Sequence, residues 1–197
     1  RYPFFRLAWI QFFKRSPVNF RRTFLVPKAH NAKGLALFTS AYLRRGDTEK
    51  AEGLFALMKK LAAPGAQGTG WGYNFDWQAR AFYVPARTPN MVVTVFVAHA
   101  FLDLYDATRN EEAMAFAVAA GSFILENLIL FEESEALCFG YVHGESARVH
   151  NANMLGATLL ARLYFYTSEP SFYEKSKKAM RYSVNALTPG GAWPYGE

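Results

Sequence analysis

Cysteine is almost absent from this chain, which has a single one among 197 residues. An internal disulfide is therefore impossible, and no CxxC pair exists for zinc binding or redox chemistry. The phosphate-loop, dinucleotide-binding, HExxH and GxSxG motifs are missing as well. With four scattered histidines, the sequence indicates no metal site, and we expect no cofactor.

Long hydrophobic runs are also lacking. Residues 91–101 and 113–125 are apolar, but a carboxylate soon follows each run, at Asp103 and at Glu126. Because a transmembrane helix needs about 20 mostly apolar residues, we expect no transmembrane segment. Residues 2–13 mix aromatic with polar side chains and lack the clean apolar centre of a signal peptide. This stretch is expected either to pack as an ordinary helix or to lie on a membrane or a partner.

Negative charge is missing from the start of the chain, where no acidic residue precedes Asp47. The net charge is +6 and the isoelectric point is near 9.4, which suits a glycan or another anionic partner, although a solvated basic face has the same composition. Without a nucleic-acid-binding signature, we expect no nucleic-acid partner. We predict a cytoplasmic protein, either free or peripheral to a membrane. The early basic residues are Arg1, Arg6, Lys14, Arg15, Arg21, Arg22 and Lys28.

Apolar and aromatic residues are abundant, at 51% and 17% of the chain, which predicts one folded domain over residues 1–197. Three segments align as an internal repeat, in which Asn31, Asn90 and Asn151 mark corresponding positions that are 59 and 61 residues apart. The predicted organisation is an outer helix and loop at 1–27, followed by repeats at 28–87, 88–148 and 149–197.

Each repeat has the pattern of two helices around a short polar turn. Asp47, Asn110 and Ser168 are the expected caps, and Pro170 fits the first turn of the last helix. The first helix of a pair is the more apolar, and residues 91–97 are apolar nearly all round, which indicates burial on both sides. The pattern predicts an all-α fold, in which repeated helical hairpins form an incomplete α/α toroid of about three to four hairpins. We expect a fragment of a toroid, or an arc that a protein partner completes.

A loop rich in aromatic residues and glycine follows each outer helix. These loops contain GWGYNFDW at 70–77, CFGYVHGE at 138–145 and GAWPYGE at 191–197. Repeat geometry predicts that they gather on one rim of the arc, as functional loops often do. In a structural interpretation, glycine permits the turn and the aromatic ring fills the gap between hairpins. In a functional interpretation, exposed rings stack on a ligand such as a sugar.

Some polar residues occur in one loop only. Asp76 in the first loop, and His143 and Glu145 in the second, could act as acid, base or hydrogen-bond acceptor to a sugar. Alternatively, the Asp76 carboxylate caps a turn or pairs with Arg80.

The pair His150-Asn151 opens the third inner helix and also has two interpretations. Either Asn151 caps the helix and His150 packs, or the pair binds an anion at the positive end of the helix. In the second case, a His, an Asn and a Tyr could neutralise a uronate carboxylate and exchange the proton at the adjacent carbon. His99 lies inside an apolar helix and is expected to be a satisfied core residue.

Four motifs carry a family resemblance: GWGYNFDWQ at 70–78, TPN at 88–90, HNAN at 150–153 and WPYGE at 193–197. They resemble a bacterial polysaccharide biosynthesis family (VpsJ-like), which looks like a member of the terpenoid cyclase/prenyltransferase α/α-toroid superfamily. The resemblance implies a toroid fold and a role in polysaccharide assembly. The closing GGAWPYG is similar to the QW repeats of squalene-type cyclases but lacks their Gln, and their DxDD proton donor has no match. The toroid polysaccharide lyases imply roles for His150, Asn151 and Tyr195 as loose analogues.

The leading hypothesis is a carbohydrate-processing or glycan-binding toroid protein, with lyase- or epimerase-like action on uronate-type glycans as its most specific form. The alternatives are a non-catalytic scaffold in a larger assembly and an isoprenoid-binding relative of the cyclases. The candidate catalytic residues are Asp76, His143, Glu145, His150, Asn151 and Tyr195. The candidate substrate-binding residues are Trp71, Tyr73, Trp77, Asn90, Tyr141, Asn153 and Trp193.

Overall fold

The chain folds into consecutive α-helical hairpins. A computed structural model describes residues 3–64, 68–78 and 83–194. The helices in these ranges are α1 (Pro3–Arg15), α2 (Ala32–Arg44), α3 (Thr48–Lys60), α4 (Met91–Thr108), α5 (Glu111–Asn127), α6 (His150–Thr167) and α7 (Pro170–Asn185). Helix α2 pairs with α3, α4 with α5 and α6 with α7, so the predicted repeat of helical hairpins is confirmed.

The polar turns within the hairpins are closed by side-chain caps. The Asp47 carboxylate accepts a hydrogen bond from the Lys50 N–H, and the Asn110 amide oxygen accepts one from the Ala113 N–H, as predicted. In the third turn the predicted cap is wrong by one residue. Glu169 caps α7, whereas Ser168 ends α6 in the left-handed conformation, at φ 55°. Pro170 occupies the first turn of α7, where its missing N–H costs nothing.

The first helices of the hairpins, α2, α4 and α6, pack side by side. Helix α4 lies between the other two and buries 11 of its 18 residues, which confirms its predicted burial on both sides. Length and composition alone would let α4 cross a membrane, since its mean hydropathy is 1.4, but 61% of it is buried inside the protein. A core helix passes the same test, so this result is weak evidence for a membrane span.

Short antiparallel ribbons stand where the sequence predicts only loops. β1 (Ala63–Pro64) pairs with β2 (Thr69–Gly70), β3 (Trp77–Gln78) with β4 (Tyr83–Val84), and β5 (Ile129–Glu132) with β6 (Leu137–Phe139). Strands of two to four residues are too short for an alternating pattern to be visible in the sequence. All three ribbons lie in the connections from an outer helix to the next inner helix.

The first of these connections is packed into the core by its tryptophan. Trp71 is fully buried, its indole N–H donates to the Met58 carbonyl at 2.8 Å, and its ring meets Phe101 edge to face at 5.6 Å. It therefore fills the gap between the first two hairpins, in the structural role predicted for such rings, and burial of one large side chain contributes about 1.5–3 kcal/mol. The flanking Gly72 is required because a Cβ there would lie 2.2 Å from the Thr88 carbonyl oxygen.

Helix α1 forms an aromatic cluster with the segment that follows it, built from Trp9, Phe12, Phe13, Phe20 and Phe24. Its Arg6 links it to the first long loop, donating to the Gln78 side chain at 3.2 Å and lying over the Tyr83 ring. The predicted organisation of 1–197 as one domain, with an outer helix and loop at 1–27, stays a prediction.

Candidate functional site

A cleft of about 680 Å³ lies at the N-terminal ends of the three inner helices. Lys33, Val92 and His150 line it, and each belongs to the first two residues of α2, α4 or α6. Further residues of α4 and α6, together with residues of the loops, complete the lining. The full lining is Lys33, Tyr73, Trp77, Val92, Phe96, Tyr141, Val149, His150, Asn151, Met154, Leu155, Thr158, Trp193 and Pro194.

Two loops reach this cleft because both are fastened to the start of α4. Asn90 caps α4, its N–H donates to the Trp71 carbonyl, and the next N–H, of Met91, donates to the Tyr141 carbonyl. As a result the hydroxyl oxygens of Tyr73 and Tyr141 lie 3.2 Å apart, although the residues are 68 positions apart in the chain. The predicted gathering of the loops is thus observed for the first and second loops.

Aromatic rings form one wall of the cleft. Trp77 lies tilted on Tyr141 with ring centroids 5.0 Å apart, and Tyr73 lies 6.0 Å from Trp77. Trp193 is 47% exposed, and its indole N–H donates to the Ser183 carbonyl, which fixes the ring at the end of α7. Of the predicted stacking residues, Tyr73, Trp77, Tyr141 and Trp193 therefore share the cleft.

The start of α6 differs from the starts of the other inner helices. Asn31 caps α2 and Asn90 caps α4, but the residue that precedes α6 is Val149, which offers no side-chain cap. The proposed capping role of Asn151 is therefore wrong, because α6 begins one residue before it. Asn151 is exposed in the cleft, whereas His150 is only 3% exposed and packs against the Tyr182 ring.

The predicted acid and base residues of the loops lie outside the cleft lining. The Asp76 carboxylate accepts hydrogen bonds from the Tyr83 hydroxyl at 2.6 Å and from the Ala86 N–H at 2.9 Å, so it is held at the open end of the β3–β4 ribbon. His143 is exposed, and its Nδ1 lies 3.0 Å from the carbonyl oxygen of Asn127. Glu145 closes a turn through its backbone N–H. None of these three lines the cleft with His150, and Tyr195, like Arg80, lies outside the described residues.

Three predicted substrate-binding residues belong to the core instead. Trp71, Asn90 and Asn153 are fully buried and none of them lines the cleft. Trp71 fills the space between hairpins. The Asn90 side chain accepts a hydrogen bond from the Val93 N–H in the first turn of α4. The Asn153 amide bridges β6 and α7, so all three contribute to the site by positioning the residues around it.

The remaining residues of the cleft lining were not named as site residues from the sequence: Lys33, Val92, Phe96, Val149, Met154, Leu155, Thr158 and Pro194. Val92 and Phe96 are spaced i, i+4, as are His150, Met154 and Thr158, so each set occupies one helical face. This spacing is visible in the sequence. It does not distinguish the face that lines the cleft, because apolar residues also occupy other faces of these helices. The Lys33 ammonium lies 4.3 Å from the centre of the Phe96 ring, in cation–π geometry.

A second polar cluster lies further along the same helices. Arg162 of α6 bonds Asp103 at 2.8 Å and Asp106 at 3.2 Å, and it also donates to the His99 carbonyl. Burial, and then the charge of Arg162, lowers the pKa of His99 to about 4, so the ring is neutral at pH 7. The expectation of a satisfied core residue is met only in part, because His99 is half-buried and its ring lies beside the charged Arg162. Among the described residues, no group of three or more His, Cys, Asp or Glu could hold a metal ion.

Comparison with known proteins identifies the fold. No protein-family model and no curated protein matches the chain. Among solved structures it is similar to a family 76 glycoside hydrolase, an α-mannanase from Bacteroides thetaiotaomicron, at 13% identity over 85% of this chain and 46% of that one, with a TM-score of 0.63. It is also similar to the endo-β-1,4-glucanase of Acetobacter xylinum, at 10% identity over 84% and 53% of the two chains, with a TM-score of 0.64.

A sugar epimerase from a ruminal bacterium is a third similar structure, at 16% identity over 81% of this chain and 44% of that one, with a TM-score of 0.56. The chain thus spans about half the length of these structures. At such identities the likeness concerns the fold alone, and it confirms the predicted incomplete α/α toroid. Membership of the polysaccharide biosynthesis family or of the terpenoid cyclase superfamily stays a prediction.

Proposed function

We propose that the cleft binds a saccharide and that the chain takes part in carbohydrate processing. The observation that carries this proposal is the convergence of four aromatic side chains, those of Tyr73, Trp77, Tyr141 and Trp193, beside the polar groups of His150 and Asn151. Sugar rings bind proteins by stacking their C–H faces on aromatic rings while a few polar groups fix the hydroxyls. The similar structures named above include enzymes that act on mannan, glucan and sugars, which supports the same class of ligand here.

The charges around the cleft favour an acidic sugar. Lys33 supplies a positive charge, and the start of α6 supplies backbone N–H groups with no side-chain cap. Both features attract a carboxylate, since a helix N-terminus carries a partial positive charge. We therefore propose a uronate-type glycan as the ligand, and with it a role in bacterial polysaccharide assembly, in agreement with the motifs at 70–78 and 150–153.

Calorimetric titration of the chain with short oligosaccharides of equal length tests this proposal. We expect an oligouronate to bind more tightly than the neutral manno- and cello-oligosaccharides. Trp77→Ala should weaken binding about tenfold or more, because it removes apolar ring contact with the sugar, and burial of a large apolar side chain is worth about 1.5–3 kcal/mol. Trp9→Ala is the matched control, since Trp9 is a solvent-accessible tryptophan that belongs to the α1 cluster and not to the cleft, and it should leave affinity within about twofold. An absence of saccharide binding, or equal losses in the two variants, would contradict the proposal.

A non-catalytic docking role is the second candidate. Leu37 and Phe38 of α2 are 52% and 63% exposed, and Phe165 of α6 is 80% exposed, so apolar side chains stand on both outermost inner helices. In this alternative those surfaces receive further helices of a partner that completes the toroid. The titration separates the two candidates, because a scaffold predicts no saccharide binding. An isoprenoid diphosphate in the same titration series tests the cyclase-like alternative.

Exposed aromatic residues in α1, and basic residues around them in the sequence, bear on where in the cell the protein is located. Phe4, Phe5 and Trp9 are more than half exposed, and the basic residues that precede Asp47 surround them in the sequence. Exposed aromatic and basic side chains together favour an anionic membrane surface. We accordingly propose a cytoplasmic protein that associates peripherally with a membrane.

A further inference from the structure

A buried chain of hydrogen bonds runs from β6 through two side chains to His150. The Asn153 amide oxygen accepts from the Phe139 N–H at 2.9 Å. The Asn153 amide nitrogen donates to the Ala179 carbonyl and to the Ser183 hydroxyl oxygen, each at 2.8 Å. The same Ser183 oxygen lies 3.1 Å from Nδ1 of His150. Asn153 and Ser183 are completely buried, so this chain is part of the core and not a surface contact.

The backbone partners fix the direction of every bond in this chain. The Phe139 N–H can only donate and the Ala179 carbonyl can only accept, so the Asn153 amide has one possible orientation. Its nitrogen therefore donates to Ser183, which leaves the hydroxyl hydrogen of Ser183 to be placed. In the described part of the chain, the acceptor that lies in hydrogen-bonding geometry with that hydroxyl is Nδ1 of His150, at 3.1 Å.

We propose that Ser183 donates to Nδ1 of His150 and thereby holds the neutral imidazole in the tautomer that carries its hydrogen on Nε2. Nδ1 must then be an acceptor, and a neutral imidazole has its other nitrogen protonated. Ser183 is a positioning residue in this scheme, and Asn153 orients Ser183. The HNAN motif thus has two functions: its first residue lines the cleft, and its last residue fixes the state of the first.

The consequence is that His150 presents a hydrogen-bond donor. Its Nε2 is buried and has no hydrogen-bond partner among the described residues, which is unusual for a buried polar atom. Because His150 lines the cleft, a carboxylate or hydroxyl oxygen of a bound saccharide that reaches Nε2 would supply the acceptor. This step rests on the proposed function. It also changes the chemistry expected from the sequence, because Nε2 of this tautomer cannot abstract a proton from a sugar carbon.

Nitrogen NMR of histidine-labelled protein without ligand tests the tautomer directly. Long-range proton–nitrogen spectra at neutral pH should show His150 with a protonated Nε2 and an unprotonated Nδ1, and His150→Gln identifies its signals. Ser183→Ala should convert this pattern into a mixture of tautomers. Ser176→Ala is the matched control, because Ser176 is a buried serine of the same helix that donates to the Ala157 carbonyl. It should leave the His150 signals unchanged.

The proposal is overturned by a wild-type spectrum with the hydrogen on Nδ1, by a doubly protonated ring, or by an unchanged spectrum in Ser183→Ala. Titration with the oligouronate supplies the second readout, in which Ser183→Ala should lose about fivefold in affinity and Ser176→Ala should lose none, as expected for one weakened hydrogen bond. If no variant binds any saccharide while the spectra are as described, the proposed function fails and the positioning of His150 stands.

Discussion

The three inner helices carry polar groups at two levels, and the two levels differ in how completely those groups are satisfied. In the cleft, His150 has a ring nitrogen without a described partner and α6 has no side-chain cap. Further along, Arg162 is held by Asp103 and Asp106, while Ser40 and Tyr166 donate to the same two carboxylates. Charged groups that are mutually satisfied tie helices together, whereas polar groups left open indicate a binding site.

Helix electrostatics accounts for part of this difference. The cleft lies at the N-terminal ends of α2, α4 and α6, where the helix dipoles add partial positive charge. Asp103 and Asp106 lie in the last turns of α4, where a negative charge is unfavourable unless a cation compensates it. Arg162 supplies that cation from the neighbouring helix. The N-terminal end therefore suits the acidic ligand that we propose, whereas at the other end the carboxylates are already paired with Arg162.

The largest effect is expected from Arg162→Met, which leaves two half-exposed carboxylates without their cation. We expect a loss of about 2–4 kcal/mol in the free energy of unfolding, near the value for breaking a partly buried ion pair. Urea denaturation measures it. Arg181→Met is the matched control, since Arg181 pairs with Glu135 at a more exposed site and should cost less than about 1 kcal/mol. Equal losses in the two variants would show that the Arg162 network is no more than a surface ion pair.

A smaller effect is expected from the pH dependence of His99. Its pKa is about 4 in the folded chain, against an ordinary value of 6.5, because burial and then Arg162 disfavour the charged ring, while Asp103 opposes them. Between these two values the unfolded chain binds more protons, so stability falls as the pH is lowered from 6.5 to about 4. We expect His99 to contribute about 2 kcal/mol to this fall, allowing for its partial exposure.

Urea denaturation at several pH values measures this contribution. His99→Gln should flatten the fall, because glutamine does not titrate in this range. Phe96→Leu, one turn earlier on the same helix, should instead lower stability equally at every pH. If wild type and His99→Gln have parallel pH profiles, His99 is not held neutral by the fold.

The sequence predicted the hairpins and the gathering of loops well, because these depend on local signals. Capping by Asp47 and Asn110 depends only on the few residues beside each of them. The apolar residues all round α4 indicate directly that this helix is buried between its neighbours. Trp71 shows the limit of such signals. Its glycine neighbours indicated a turn, but burial against Met58 depends on how two hairpins pack.

The composition of the cleft could not be predicted for the same reason. Asp76 and Trp77 are adjacent in the sequence, yet the ribbon of β3 and β4 engages the carboxylate while the indole lines the cleft. Likewise, the repeat aligned Asn151 with two true caps, although α6 begins one residue before it. Ser183 had no motif to mark it, because its importance comes from contact with residues about thirty positions away.

The smallest effect is expected from Lys33→Gln, which removes the positive charge from the cleft and keeps a polar side chain. The Lys33 side chain lies beside Phe96 and stays partly accessible to solvent, so its charge should contribute no more than about 1 kcal/mol to the binding of an acidic sugar. The expected loss is therefore about two- to fivefold for an oligouronate and none for a neutral oligosaccharide. Raising the salt concentration should reduce the difference, since ions screen an interaction at a solvent-accessible site. Lys60→Gln on α3, outside the cleft lining, is the matched control. An equal loss for acidic and neutral ligands would mean that Lys33 acts through packing on Phe96, and the cleft would then recognise sugars without regard to charge.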